Sequence, residues 1–197
     1  MRVGVLALQG DVPEHLRALV DLRDGSRPRP VRTPADLAAV DALFLPGGES
    51  TTIAKLLVQS GLWEPLGRRL AEGLPVLATC AGLILIARRL EAGPSGPNPP
   101  TFGLLDVTVR RNDYGTQRES FEAGVVVDGL VGPPFPGVFI RAPRILSVGP
   151  RATVFARRGT EVVGVRQGAL WGLTFHPELS GDRRLHESFL EAVERAK

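Results

Sequence analysis

Short, nearly all-apolar segments alternate with amphipathic ones through the first half of the chain, and this order limits the possible folds most. The apolar segments have the length of buried strands, and the amphipathic ones have the period of helices. Strands that alternate with helices in this way form parallel sheets covered on both faces. Strands are predicted at residues 2–8, 40–46 and 74–78, with a short edge strand near Val31. One helix is predicted at residues 13–22, with Leu16, Leu19 and Val20 facing inward, and two more within residues 50–73, separated by a break at Gly61.

The second half changes character and is rich in strand-like segments from residue 104 to residue 175. Hairpin turns are predicted at Arg158-Gly159 and at Gln167-Gly168. A last amphipathic helix is predicted within residues 182–197. No repeat or linker interrupts the chain, so we expect residues 1–197 to form a single domain. The inner stripe of the last helix is predicted to be Leu185, Phe189, Leu190 and Val193.

Composition excludes several classes of protein. The 24 Lys and Arg residues nearly balance 21 Asp and Glu, and the cations are scattered, so a nucleic-acid partner is not expected. Apolar runs end well short of the roughly 20 residues that a membrane span needs. The N-terminus lacks the features of a signal peptide, and a single cysteine cannot form an internal disulfide. We therefore expect a cytoplasmic protein with no membrane partner.

The single cysteine, Cys80, follows a predicted strand and precedes an apolar run of helix type. This is the pattern of a nucleophile elbow, a strained turn in which the residues two before and two after the nucleophile are small. Here they are Ala78 and Gly82. The helix N-terminus favours the thiolate, and the amide of Ala81 is placed to meet an oxyanion. The alternative is that Cys80 is an ordinary buried core residue.

A cysteine nucleophile needs a base, and the chain offers three histidines. His15 lies in the first helix, and His186 lies among charges in the last helix, where we expect it to be solvated. His176 stands out because it ends a strand-like run, and in an extended chain Glu178 faces the same way. We predict that His176 is the base and Glu178 its orienting partner. The alternative is a surface histidine followed by a helix-capping glutamate.

The segment "FLPGGESTTI" (44–53) carries a third feature, a strand that runs into two glycines and then a helix. Glycines let the backbone approach a ligand closely and present N–H groups to it. Ser50 or Thr51 is predicted to cap the helix. The segment is not a phosphate loop, because the required spacing to Lys is absent. The alternative is an ordinary strand-to-helix turn.

The motifs "GVLALQGDVPEH", "LPGGESTTI", "TCAGLILIA", "RRNDYGTQRESFE", "VFIRAP" and "TFHPEL" occur in this order along the chain. Together they resemble the glutaminase subunits of pyridoxal phosphate synthase, the PdxT family within the class I glutamine amidotransferases. The resemblance implies a three-layer α/β fold of the class I amidotransferase, flavodoxin-like type, with a mostly parallel central sheet, flanking helices and a β-rich second half.

The resemblance also implies roles for individual residues. Cys80, His176 and Glu178 would form the catalytic triad; Gly48, Glu49, Ser50, Arg111, Ile140 and Arg141 would bind L-glutamine; and the amides of Gly48 and Ala81 would form the oxyanion hole. For the two arginines an internal ion pair is the alternative role. Two departures from the family pattern are Ala78, in place of the usual Gly of the elbow, and Thr116, where Arg is common.

The activity implied by the resemblance is hydrolysis of L-glutamine through a cysteine thioester, with ammonia passed to a synthase subunit that makes pyridoxal 5'-phosphate. That partner would be a (β/α)₈ barrel in a dodecameric core, with one glutaminase per synthase subunit. No metal or organic cofactor is expected, since no Cys/His cluster has metal spacing. The alternatives are a glutaminase of another pathway, such as that of imidazole glycerol phosphate synthase, a non-catalytic protein of this fold, and a cysteine peptidase.

Overall fold

The computed structural model describes residues 1–20, 22, 27–92, 96–113 and 120–196. Its first half alternates strands and helices as the sequence predicts. The edge strand near Val31 and the break between two helices at Gly61 are confirmed; Gly61 has a φ of +70°, which favours glycine. The elements are β1 (Val3–Leu6), α1 (Val12–Leu19), β2 (Arg29–Val31), α2 (Pro34–Ala38), β3 (Ala42–Leu45), α3 (Ser50–Gln59), α4 (Trp63–Ala71), β4 (Val76–Thr79) and α5 (Ala81–Ile86).

The second half is β-rich, and both predicted hairpins are present as antiparallel pairs. A 3₁₀ turn and one long helix end the fold. The elements are β5 (Ala87–Glu91), β6 (Leu105–Arg110), β7 (Phe121–Val127), β8 (Phe135–Phe139), β9 (Arg144–Val148), β10 (Thr153–Arg158), β11 (Glu161–Gln167), β12 (Leu170–Leu173), the 3₁₀ turn Pro177–Leu179 and α6 (Arg184–Arg195).

The large sheet has the strand order β2-β1-β3-β4-β12-β11-β10-β7-β8, and β5, β6 and β9 form a smaller sheet. From β2 to β12 the strands are parallel. Beyond β12 they are antiparallel. The predicted α/β sheet is therefore confirmed, and an antiparallel extension from the second half continues it. Because β1, β3, β4 and β12 are parallel, their carboxyl ends lie at one edge.

Helices cover both faces of the parallel strands, and side chains alternate between two cores. On β3, Leu43 and Leu45 face the core that contains residues of α3, α4 and α5. Phe44 faces the other core, with residues of α1 and α6. This period of two is the reason why a fully apolar strand is needed at the centre of a three-layer fold. All four residues of β3 are buried.

Two predictions about helix faces are wrong. Helix α1 ends at Leu19, where the backbone becomes extended at Val20, and Val20 is 39% exposed. The inward position of Leu19 is confirmed, and Leu16 packs against the same core. His15, four residues before Leu19 on the same face, is the buried position that the prediction missed. His186 is also fully buried rather than solvated, although the predicted stripe of α6 is confirmed.

In the described part of the chain no helix combines the length and the apolar character needed to cross a membrane. Thr116 lies outside the described residues, as does part of the Pro-rich segment 24–34.

Candidate active site

Four loops at the carboxyl edge of the parallel strands bring the candidate residues together. In open α/β sheets, ligands bind at this edge, because the loops there converge from neighbouring strands. Asp11 follows β1, Gly48 follows β3, Cys80 follows β4 and His176 follows β12. All four border one cavity of about 490 Å³.

Cys80 occupies the turn between β4 and α5 in a strained backbone conformation, with φ 47° and ψ −101°. Its amide donates to the carbonyl of Leu173 at 2.9 Å, and its own carbonyl accepts from Ile84 at 3.2 Å in the first turn of α5. A non-glycine residue is held at such a φ only when its surroundings fix it, and such residues cluster at functional sites. The geometry is that of the predicted nucleophile elbow.

The small residues around Cys80 are required by packing. A Cβ at position 82 would lie 2.3 Å from the carbonyl oxygen of Leu45, so that α5 could not approach β3 with a larger residue there. Ala78 is fully buried in the β4 strand, and it takes the place where the family pattern has Gly. The extra methyl group of Ala78 is accommodated without loss of the elbow.

His176 reaches the cavity because the chain after β12 pairs across to β8. Its amide donates to the carbonyl of Val138 at 2.8 Å, in an isolated bridge between these two residues. The same bridge brings the end of β8, and with it Ile140 and Arg141, to the cavity. One backbone contact therefore positions both the candidate base and two candidate substrate-binding residues.

The ring of His176 is held through Nδ1 by two carboxylates. Nδ1 lies 2.8 Å from Oε1 of Glu178 and 3.2 Å from Oδ2 of Asp11. An Nδ1 that donates to a carboxylate leaves Nε2 as the nitrogen available for proton transfer. The predicted pairing of His176 with Glu178 is therefore present, on the buried side of the histidine.

The charges of the site hold His176 in its protonated form. Burial by itself lowers the pKa of His176, but the charge of Cys80 and hydrogen bonds to Asp11, Cys80 and Glu178 outweigh it and raise the pKa well above 6.5. Burial raises the pKa of Glu178, and the hydrogen bond from His176 opposes this rise. The raised pKa favours the imidazolium form of His176 beside Cys80.

The residue that caps α3, in the loop after β3, differs from the prediction. The N-cap of α3 is Glu49, neither Ser50 nor Thr51: the Glu49 carboxylate accepts from the amides of Thr51 at 3.0 Å and Thr52 at 2.7 Å. A glutamate reaches these amides because its own backbone is extended at the cap. Burial opposes ionisation of Glu49, but these hydrogen bonds outweigh it and lower its pKa.

Arg111 forms an internal ion pair, which was the alternative to its predicted role in binding glutamine. Its Nη2 lies 3.3 Å from Oε1 of Glu49, an internal ion pair, and its Nη1 donates to the carbonyl of Pro97 at 3.0 Å. The side chain nevertheless borders the cavity. Arg141 also borders it, is exposed, and forms no ion pair with any residue in the described ranges. Two guanidinium groups thus face a site suited to a carboxylate.

The cavity brings most of the predicted residues together, and two of them lie elsewhere. Glu178 is buried behind His176, as expected of an orienting group, and Ala81 does not border the cavity. In the described part of the chain, the non-glycine residues with positive φ are Cys80, Asn112 and Arg141, and all of them border it. The predicted residues at the cavity are Gly48, Glu49, Ser50, Cys80, Arg111, Ile140, Arg141 and His176.

Sequence reasoning missed several residues at the site. Gln9, Asp11, Ile84 and Asn112 also border the cavity. The Gln9 side chain accepts from the amide of Glu49 at 2.9 Å and so ties the loop after β1 to the loop after β3. The signal for Gln9 and Asp11 was available, because polar residues directly after a predicted parallel strand lie at the ligand-binding edge.

Asp11, His176 and Glu178 place one potential ligand atom each within 4.8 Å of one another. In this arrangement Nδ1 of His176 lies at hydrogen-bond distance from Glu178, 2.8 Å, which is the geometry of a held proton. The residues therefore fit proton chemistry, and the expectation that no metal or organic cofactor is needed stays a prediction.

Comparison with known proteins agrees with this geometry. The model of the SNO glutamine amidotransferase family matches residues 5–195. The chain belongs to this family. One relative is the "Pyridoxal 5'-phosphate synthase subunit PdxT" of Streptomyces griseus, which is 52% identical over 191 residues, covering 97% of this chain and 95% of that protein. The protein of the same name from Acidothermus cellulolyticus is 51% identical over 197 residues, covering 98% of this chain and 93% of that protein.

A solved structure described as a glutamine amidotransferase is 44% identical in sequence and superposes with a TM-score of 0.87, covering 98% of this chain and 100% of that one. The fold of this member of the SNO family is therefore that of the class I glutamine amidotransferases, as the sequence predicts.

Proposed function

We propose that this protein is the glutaminase subunit of a pyridoxal 5'-phosphate synthase: it hydrolyses L-glutamine to L-glutamate and ammonia and delivers the ammonia to a synthase subunit for vitamin B6 biosynthesis. The observation that carries the proposal is the 2.8 Å contact between Nδ1 of His176 and Glu178, beside a strained Cys80 elbow. The family and its PdxT relatives support the substrate and the partner.

The zwitterionic substrate fits the charges of the cavity. Arg111 and Arg141 offer counter-charges to the α-carboxylate. Gly48, Glu49 and Ser50 also border the cavity, with Glu49 beside Arg111. Ile140 lies beside Arg141 and packs against the aliphatic part of the substrate. In the proposed binding mode the side-chain amide of glutamine lies toward Cys80, which borders the same cavity.

In the first half-reaction the Cys80 thiolate adds to the amide carbon of glutamine. The oxyanion that forms is met by the amides of Gly48 and Ala81. His176, already protonated, gives its Nε2 proton to the leaving nitrogen, so that ammonia departs and a γ-glutamyl thioester remains. Glu178 holds the Nδ1 proton throughout and compensates the charge of the imidazolium.

In the second half-reaction neutral His176 takes a proton from water. The hydroxide adds to the thioester, and the tetrahedral intermediate expels the Cys80 thiolate. The new carboxyl group of glutamate then gives its proton to the solvent, and glutamate is released. The thiolate and the imidazolium are then restored. Neither half-reaction requires a metal or an organic cofactor.

Ammonia released into water would be lost, so the reaction needs a partner that consumes it. We assign this role to a synthase subunit with a (β/α)₈ barrel, twelve of which form a core that carries one glutaminase each. The assignment of the barrel and of the stoichiometry rests on the resemblance of the motifs to the PdxT family.

The test is glutamate release from L-glutamine by the purified protein, alone and mixed with a pyridoxal 5'-phosphate synthase subunit. We expect activity that rises sharply with the synthase and is lost in Cys80→Ala. Activity that ignores the synthase would assign the protein to another amidotransferase pathway. Absence of glutaminase activity under both conditions would refute the catalytic proposal.

A further inference from the structure

Two buried histidines lie behind Glu178, and the reaction described above does not use them. His15 on α1 and His186 on α6 are both 0% exposed. Nε2 of His15 lies 3.4 Å from Oε2 of Glu178, and Nδ1 of His15 lies 3.4 Å from Nε2 of His186. A continuous row of side chains therefore runs from α6 through α1 and Glu178 to His176 at the cavity.

The two carboxylate oxygens of Glu178 differ in their hydrogen bonding. Oε1 accepts from His176 at 2.8 Å, while Oε2 is buried and has no hydrogen-bond partner within the described ranges. A buried carboxylate oxygen without a donor costs free energy and weakens the ionised form. The group that faces Oε2 is the imidazole of His15, and a movement of a few tenths of an ångström would complete that hydrogen bond.

Both buried histidines are neutral. Burial, followed by repulsion from His186 and His176, holds the pKa of His15 well below 6.5. Burial, followed by repulsion from Arg183, lowers the pKa of His186 to about 4. A neutral imidazole carries one N–H and one lone pair, so the tautomer decides what His15 offers to Glu178.

Electrostatics select the tautomer. With the proton on Nδ1, His15 would turn a lone pair toward a buried anionic oxygen, whereas the proton on Nε2 turns a donor toward it. The second form leaves Nδ1 as an acceptor for Nε2–H of His186 at 3.4 Å. Oγ1 of Thr79, 3.2 Å from Nε2 of His15, shares the same donor. His186 stacks on Phe44, with ring centroids 5.5 Å apart, and is thereby fixed in place.

We propose that His15 is a positioning residue of the glutaminase: its Nε2–H supports Oε2 of Glu178, and His186 selects the His15 tautomer that allows this. The inference rests on the proposed function, because it assigns a role within that reaction. His15 does not border the cavity, so it acts on proton transfer and not on the binding of glutamine.

Several titratable, charged and polar groups surround this row. They come from four elements and two loops. They are Glu14 on α1, Asp11 in the loop before it, Cys80 and Thr79 at the elbow, His176 and Glu178 at the 3₁₀ turn, Asp182 and Arg183 in the loop before α6, and His186 on α6.

The experiment compares His15→Leu, which removes the donor, with His15→Gln, whose amide nitrogen can reach the position of Nε2. Leu19→Ala, one turn further on the same face of α1, is the matched control for loss of packing. kcat and KM are measured across pH in the presence of the synthase. The rate at which iodoacetamide alkylates Cys80 is measured across the same pH range, and because Cys80 is the single cysteine of the chain, that rate reports on one thiol.

For His15→Leu we expect kcat to fall about 10- to 100-fold, the range typical of groups that orient a functional side chain from behind, with KM changed less than about twofold. An unsupported Glu178 carboxylate holds its proton to higher pH, so the acid limb of kcat/KM and of alkylation moves up by at least about 0.5 pH unit. His15→Gln should restore most of the lost kcat and most of the shift of the acid limb. Leu19→Ala should leave the acid limb at its wild-type pH.

Equal acid limbs in His15→Leu and His15→Gln would overturn the inference, and so would a shift in Leu19→Ala as large as that in His15→Leu. If His15→Leu fails to fold, His186→Leu replaces it, and an unmoved acid limb there would overturn the inference equally. A wild-type protein without glutaminase activity would refute the proposed function, and the alkylation profiles would still decide the role of His15.

Discussion

At the scale of single residues, the Nδ1 atom of His176 is shared between two carboxylates that differ in burial. The Glu178 side chain is fully buried at 2.8 Å, whereas that of Asp11 is 32% exposed at 3.2 Å. A buried carboxylate with one hydrogen bond is fixed in place and can orient the ring. The half-buried Asp11 carboxylate contributes to the raised pKa of His176 through its hydrogen bond to the ring. We therefore expect Asp11 to adjust the pKa of His176, whereas Glu178 fixes the orientation of its ring.

Replacement of Asp11 by Asn should narrow the pH range of the reaction from its alkaline side. Asp11 raises the pKa of His176, so its loss lowers that pKa. The thiolate–imidazolium pair then loses its proton at lower pH. We expect the basic limb of kcat/KM to move down by about 0.5 to 1 pH unit, while kcat at pH 7 changes less than about threefold.

The measurement is the pH profile of glutamine hydrolysis with the synthase present. Asp41→Asn is the control, because Asp41 pairs with Arg2 at the opposite end of the strands and should leave the profile unchanged. A basic limb that stays in place in Asp11→Asn would show that Glu178 and Cys80 alone set the His176 pKa.

At the scale of elements, the elbow depends on how closely α5 approaches β3. The first turn of α5 lies against the end of β3, where a Cβ on Gly82 would be 2.3 Å from the carbonyl oxygen of Leu45 and 2.9 Å from the Leu45 Cβ. These are strand atoms that cannot rotate away, so the helix would have to move. Because Cys80 is its N-cap, any movement of α5 displaces the nucleophile.

Gly82→Ala should therefore destabilise the protein by about 1–3 kcal/mol, the usual cost of overpacking, and reduce glutamine hydrolysis more than tenfold. Gly67→Ala is the matched control. Gly67 lies within α4, and a Cβ there would meet the Phe102 ring at 3.4 Å, an ordinary contact. Alanine in a helix interior is favoured over glycine, so Gly67→Ala should gain up to about 1 kcal/mol.

Urea unfolding should show a lower free energy of unfolding for Gly82→Ala and a higher one for Gly67→Ala than for the wild type. Glutaminase assays on the same two variants measure the loss of glutamine hydrolysis expected for Gly82→Ala. Gly82→Ala with unchanged stability and rate would mean that α5 can shift without consequence, and the packing argument for the elbow would be wrong.

The elements that the sequence predicts well are those specified by local pattern. β3 and β4 are short apolar runs, and the elbow combines a strand end, Cys80 and two small neighbours. The burial of His186 was not visible, because it depends on α6 packing over Phe44 of a strand that lies more than 140 residues earlier. The Glu49 cap was missed for a different reason, since Ser and Thr are the commoner cap residues.

At the scale of the whole molecule, two buried neutral histidines make folding sensitive to acid. His186 has a pKa of about 4 in the folded protein, against about 6.5 in an unfolded chain. Between these values the unfolded chain binds a proton that the folded protein excludes. The contribution of His186 to stability is therefore complete above pH 6.5 and is lost as the pH falls toward 4. His15 acts in the same direction.

Other groups change stability in different pH ranges. His176, whose pKa is raised, stabilises the fold below pH 6.5 and loses that contribution as the pH rises through its folded value. Carboxylates with lowered pKa, such as Asp106 and Asp182, matter only near and below pH 4. Burial raises the pKa of Glu178, so this carboxyl opposes the effect of the buried histidines between pH 6.5 and 4.5. In that window the difference in slope between the wild type and a histidine variant isolates the histidine.

We expect the free energy of unfolding of the wild type to fall through this window, with His186 alone contributing about 2–3 kcal/mol of the loss. His186→Leu cannot bind the proton, so its stability should depend less steeply on pH by about that amount, whatever its stability at pH 7. Urea unfolding at pH 7, 5.5 and 4.5 measures both slopes. Parallel slopes would mean that His186 keeps its proton affinity on folding, which a fully buried imidazole stacked on Phe44 does not allow.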